Sequence, residues 1–318
     1  GNPSEKQNII AMYAKQAYRS GKNVIVIDPR ETEMTRYSTK WIRVHPEKVS
    51  KLFKAVSKLI IDKASESPET VNYKNLDFMI SELSNYDSLK IAKELNISGE
   101  DIKFLSSILS NGTTSFLFGN DMLINDSQIQ NYTSSLLNLI ILTGNNNSEF
   151  SSILPLVDGA NQIGALHIGA NKYFNNTETN YSEINNDAND GLCIIFEDGL
   201  SHDEIIKKSR NYKNKVLFTS KKKFLNCGFD VIVPVTDFSN RKGTYVNIEN
   251  RVQLSNNPLE KKSYFNDAWH LISKIAEKFD GSDLKFSNYE DIYTKMISSV
   301  ESFSGLKNHN LSLESYII

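Results

Sequence analysis

Cysteine is almost absent from this chain: Cys193 and Cys227 are the only two among 318 residues. Two thiols cannot build a disulfide framework, nor hold an iron–sulfur cluster that needs four thiolates. Both read as small buried hydrophobes. Long apolar runs are also missing. "SSLLNLIILTG" falls well short of the roughly 18 residues a membrane helix requires, so a soluble chain with a buried helix there is expected. Excess charge of one sign is lacking too, with a net charge of −2 and lysines and arginines spread along the chain. Without a large basic field, nucleic acid is set aside as a partner. No methionine start or apolar leader precedes "GNPSEK", which reads as cut from something longer.

Several catalytic signatures are absent as well. His45, His167, His202, His270 and His309 are scattered and match no metal spacing. There is no G-x-S-x-G elbow and no Walker A loop. No G-x-G-x-x-G precedes the first apolar strand pattern, which argues against simple dinucleotide binding.

What is present is an alternation of helix and strand patterns in a chain of ordinary globular composition, 39% hydrophobic and 23% charged. Ile9, Ile10, Tyr13, Ala17 and Tyr18 recur at helical spacing, Gly21 ends that helix, and Val24–Ile27 reads as a buried strand. "HPEKVSKLFKAVSKLIID" carries one apolar stripe behind Pro46. A polar helical region covers about 76–95, Ser98 and Asp101 form a capping-box pattern, "TSFLFG" reads as a short strand, and a helix lies near 128–142. The Asn-rich stretch 171–190 has linker composition. Beyond it, "GLCIIFED", a helix near 201–210, "KVLFTS" and "FDVIVPVTD" predict a second small α/β unit. Helices follow at 264–279, with Phe265, Trp269, Ile272 and Ile275 as its stripe, and at 289–303. Buried strands alternating with helices predict an α/β sheet covered on both faces.

Three stretches could carry chemistry. In "NVIVIDPRETE" the apolar run stops on Asp28, Pro29 and Arg30. A carboxylate at the carboxyl end of a parallel strand can accept hydrogen bonds from ribose hydroxyls. The other reading, which residues 23–33 alone favour, is that Asp28 and Arg30 cap local backbone and pair with each other or with neighbours. "PLVDGANQIGALHIGANKYF" spaces glycines at 159, 164 and 169, which permits close approach to a ligand or to another segment. "DVIVPVTDFSNRKGTYVNIENRVQ" is a strand broken by Pro234, a turn at Lys242–Gly243 and a second extended stretch. Arg241, Glu249 and Arg251 there read as structural ion pairs, since no nucleophile and base lie nearby.

Taken in order, these stretches resemble the molybdopterin oxidoreductase family, which includes formate dehydrogenases, nitrate reductases and the large iron–sulfur subunit of respiratory complex I. "GNPSEK…VIDPR…WIRVHP" looks like the family's G-x-NP segment, helix and strand. "LTGNNNSEFSSILPLVDGANQIGALHIGA" is similar to its TG…PL…G-x-N-x-x-G-A loop, and "FDVIVPVTDFSNRKGTYVNIENRVQ" to its DVVLP…GT…N-x-E-G-R-x-Q segment. The resemblance implies two doubly wound, Rossmann-like α/β domains of the formate dehydrogenase and DMSO reductase type, over 1–172 and 173–280, with a helical tail over 281–318. It maps nucleotide contacts onto Asn2, Pro3, Asp28, Arg30 and Asn161.

Departures from the family pattern shape the functional expectation. The P-G-[T/S]-D run after the strand is missing, with Glu47, Lys48 and Val49 following Pro46. "GAN" stands at 159–161 where formate dehydrogenases have "GQN", Asn240 replaces a common acid and Asn250 a common glycine. No cluster cysteine or molybdenum ligand can be assigned. This degeneracy suits a non-catalytic scaffold domain of the large subunit of a complex I-type NADH:quinone oxidoreductase, with no complete active site and no cofactor in this chain. Such a domain would dock onto the cluster-bearing half and other peripheral-arm subunits. It would touch the membrane only through the complex, on the mitochondrial matrix side or the cytoplasmic side of a bacterial membrane. The alternative is part of a formate dehydrogenase-like enzyme that still binds molybdopterin guanine dinucleotide.

Overall fold

The computed structural model describes residues 2–65, 76–84, 86–119, 126–157, 159–170, 191–197, 199–256, 266–279, 284–309, 311 and 315–317. The expected linker 171–190 lies outside them. The chain divides into two compact units, Gly1–Asp158 and Gly159–Ile318.

In the first unit α1 (Pro3–Lys6) and α2 (Asn8–Arg19) lead through Gly21 to β1 (Ile25–Ile27). Gly21 sits at φ +76°, a conformation that side chains resist, and beyond it the Lys22 N–H reaches back to the Ala17 carbonyl at 3.0 Å. β1 pairs in parallel with β2 (Lys40–Ile42), Ile25 opposite Lys40 and Ile27 opposite Ile42. Pro46 opens a 3-10 turn, where its fixed φ costs nothing, and α3 (Val49–Ser65) follows. α3 is the hub of the unit, with Leu52, Ala55 and Val56 fully buried.

The stretch 76–95 is two helices rather than the single helical region expected: α4 (Leu76–Leu83) and α5 (Ser88–Leu95). Asp87 makes the break, because its carboxylate accepts from the N–H groups of Leu89 at 2.9 Å and Lys90 at 3.2 Å and starts a new helix. α6 (Gly99–Ser110) opens with the Ser98–Asp101 capping box. β3 (Phe116–Phe118), α7 (Asp126–Leu142) and β4 (Ile153–Pro155) follow, with β3 and β4 parallel. Buried residues of α3, α5, α6 and α7 form one core, onto which Ile25, Ile27, Phe116, Phe118 and Ile153 pack from the strands.

The second unit begins with α8 (Gln162–His167). β5 (Leu192–Phe196), α9 (His202–Ser209), β6 (Asn214–Thr219) and β7 (Val231–Pro234) build a parallel sheet in the order β5-β6-β7. Ile195 and Leu217 face a core with Ile205 and Phe224, while Leu192, Ile194 and Phe196 point from β5 to the other, exposed face. The last extended stretch is a hairpin, β8 (Gly243–Val246) against β9 (Arg251–Ser255), antiparallel. After α10 (Ala268–Glu277) and α11 (Tyr289–Ser299) the chain returns as β10 (Tyr316–Ile317) beside β9. The C-terminal stretch therefore carries a strand as well as helices. No described helix is long and apolar enough to cross a membrane.

Candidate functional site

Asp28 directly follows β1, at the carboxyl end of a parallel strand, and is buried at 4% exposure. Its Oδ1 accepts from the Arg30 N–H at 2.9 Å, closing an Asx turn, and the Arg30 Nε lies 3.5 Å from the same oxygen. Two side chains, one from the neighbouring strand β2 and one from the residue just past it, brace this turn. Trp41 Nε1 donates to the Asp28 carbonyl at 2.8 Å, and Arg43 Nε donates to the Pro29 carbonyl at 2.9 Å. The turn is thus rigid, its carboxylate has acceptor capacity beyond one N–H, and the Arg30 side chain is half exposed. Local capping and pairing of Asp28 with Arg30, one of the two readings of the sequence, is present.

Asn2 and Pro3 serve the start of α1. Asn2 is its N-cap, accepting from Ser4 N–H at 3.2 Å and donating to Glu5 at 3.1 Å, and Pro3 occupies the first turn. Both are buried. Their amide and ring are committed to the helix start, and proline offers no donor.

Asn161 lies in the second unit, where its side chain bonds the backbone of β8. Gly169, at φ +76°, ends the α8 turn. In the hairpin loop Asn247 Oδ1 accepts from Glu249 and Arg251 N–H, both at 2.9 Å. Asn250 stands there at φ +61°, which explains why a glycine position accepts asparagine, the side-chain-bearing residue most tolerant of that conformation. Arg251 donates to Ser315 at 3.0 Å, and Glu249 accepts from Asn247 at 3.4 Å.

One feature was not singled out from the sequence. Glu197 follows β5 as Asp28 follows β1, and its side chain is fully buried. Its two oxygens accept from Lys221 Nζ at 2.7 Å and from the Thr219 hydroxyl at 3.1 Å. Asp237, just past β7, accepts from Ser239 N–H, Ser239 Oγ and Ser220 Oγ, and these bonds hold its carboxyl below the usual range. The signal was legible: "CIIFE" is an apolar run stopping on an acid, like "VIVID". The carboxyl edge of β5-β6-β7 is therefore a polar rim of the kind where open α/β sheets meet ligands.

Among the described residues no group of three or more His, Cys, Asp and Glu could hold a metal ion. Cys193 and Cys227 are free, burial pushes both thiols up, and Cys227 donates to the Phe224 carbonyl.

The molybdopterin oxidoreductase family model matches residues 1–278. The chain belongs to the molybdopterin oxidoreductase family. Among curated members, the F420-dependent formate dehydrogenase subunit alpha of Methanocaldococcus jannaschii is 25% identical over 98% of this chain and 51% of its own length. The assimilatory nitrate reductase catalytic subunit of Bacillus subtilis is 22% identical, over 98% of this chain and 50% of its own length. Among solved structures, acetylene hydratase from Pelobacter acetylenicus superposes with a TM-score of 0.61 at 13% identity, covering 95% of this chain and 49% of its own. That likeness concerns the fold, which is the family's α/β architecture. The chain spans about half the length of these relatives.

Proposed function

We propose that this chain is the nucleotide-holding part of a molybdopterin-dependent oxidoreductase of the formate dehydrogenase type. The relatives are formate dehydrogenase and nitrate reductase subunits, so the weight moves away from the complex I scaffold and from a cofactor-free chain. The observation that carries the reading is the braced Asp28–Arg30 turn at the end of β1. A buried carboxylate with spare acceptor sites suits the N–H donors of guanine or a ribose diol, and an exposed guanidinium suits a pyrophosphate. Asp28 and Arg30 therefore fit molybdopterin guanine dinucleotide. Asn2 and Pro3 act indirectly, by fixing the start of α1.

When bound, the cofactor supplies two-electron redox chemistry at its metal. The protein groups described here bind and orient its nucleotide portion. The metal ligand and any iron–sulfur cluster fall to another segment or subunit. The test is to purify the protein with whatever accompanies it, denature it mildly, and assay released guanine nucleotide and molybdenum. Stoichiometric guanine and molybdenum are expected; their absence in a preparation containing complex I subunits would overturn the reading.

A further inference from the structure

Asn161 stands at the N-cap position of α8, yet its side chain makes no cap hydrogen bond. It turns instead to β8. Its Oδ1 accepts from the Val246 N–H at 2.8 Å, and its Nδ2 donates to the Thr244 carbonyl at 3.2 Å. Residues two apart on a strand direct their backbone groups to the same edge. β8 is the end strand of the order β10-β9-β8, so among the described residues its edge away from β9 has no strand partner. The Asn161 amide occupies that edge as a peptide group of a neighbouring strand would.

This contact dictates a second residue. A Cβ added at Gly164 would lie 2.3 Å from Asn161 Oδ1 and 3.2 Å from Val246 Cγ2. Gly164 lies within α8, so the glycine answers to the contact rather than to an unusual backbone angle. At the far end of the same helix, His167 Nε2 lies 3.1 Å from Asn250 Oδ1 in the hairpin loop. The G-x-N-x-x-G loop and the G-T-x-x-N hairpin are thereby tied at both ends of α8.

We propose that Asn161 and Gly164 are a matched positioning pair that fastens the glycine loop to β8, and that Asn161 is not itself a ligand of the nucleotide. Both amide functions of Asn161 are committed to β8, and the glycine provides the room they need. The inference goes beyond the cofactor reading and is tested on the chain without cofactor, so the two can fail separately.

The test combines amide exchange and urea unfolding of the full chain. In Asn161→Ala the Val246 amide loses its acceptor and should exchange roughly tenfold faster. Gly164→Ala should lower the urea midpoint in the native background and much less in the Asn161→Ala background, since the crowded oxygen is then gone. Asn161→Asp supplies a readout that general destabilisation would not give. A protonated carboxyl keeps one donor and one acceptor, whereas the carboxylate cannot donate to Thr244 and repels its carbonyl. The folded pKa is then raised above the free value of about 3.9. Relative to the native chain, stability is retained below that pH and lost as pH rises through the folded pKa. Unchanged exchange at Val246, additive costs for the two substitutions, or a pH-flat Asn161→Asp would each overturn the proposal.

Discussion

Asp28 and Glu197 hold the same topological position in the two units, each an acid at the carboxyl end of a parallel strand, yet they are satisfied differently. Asp28 is held by its own turn, through one backbone N–H and a long contact to Arg30, while Trp41 and Arg43 grip the carbonyls around it. Glu197 is held by side chains, a Lys221 ammonium on one oxygen and the Thr219 hydroxyl on the other. The first arrangement fixes the carboxylate while leaving acceptor capacity. The second engages both oxygens and makes Glu197 part of the sheet's support. Position alone therefore does not identify a ligand; the remaining hydrogen-bonding capacity is what separates the two acids.

The contrast is sharpest at Lys221. Lys221→Met leaves a buried carboxylate without its counter-charge, and a loss of about 2 kcal/mol in urea unfolding is expected, reduced from a fully buried pair because Lys221 is partly exposed. Glu197→Gln, which keeps the threonine contact, should cost less. In the first unit the largest effect should come from the brace. Trp41→Phe removes one neutral hydrogen bond to the turn and should cost about 1 kcal/mol by the same measurement.

Acid should act on both units through their caps. The carboxyls of Asp87 and Asp237, one in each unit, are held below their usual range chiefly by backbone N–H donors, and that of Glu204 by Ser201. Depressed folded pKa values mean this stabilisation is complete above the unfolded pKa and lost as pH falls through the folded one. A urea midpoint that declines below about pH 4 is expected, with Asp87→Asn flattening the decline. The smallest stability change is predicted for Asp28→Asn, because the amide oxygen still accepts the Arg30 N–H.

Much of this was legible in local sequence chemistry. Gly21, Pro46 and the Ser98–Asp101 pair marked helix ends because each acts within a few residues of itself. The apolar run stopping at Asp28 marked a strand and its turn for the same reason. What was hidden was either covered by another local signal or depended on partners far along the chain. The Asp87 cap that splits 76–95 was masked by a continuous helical period. The apolar period of α10 marked a helix but not its buried side: Ile272 and Ile275 stay exposed while Ser273 is buried against Leu284 and Phe286. The Lys221 partner of Glu197 lies 24 residues away, and the β8 partners of Asn161 lie more than 80 residues away. No periodicity reports such pairings. The Asn247–Asn250 turn was equally hidden, because asparagine stood where a glycine would have marked it.

The central claim, that the Asp28–Arg30 turn is a working nucleotide grip, is tested most directly by titrating the full chain with guanosine monophosphate in a calorimeter, native protein beside Asp28→Asn. Binding to the native chain is expected, weakened at least about tenfold in the variant with its unfolding midpoint unchanged. Equal affinity in the two proteins, or binding to neither, would contradict it.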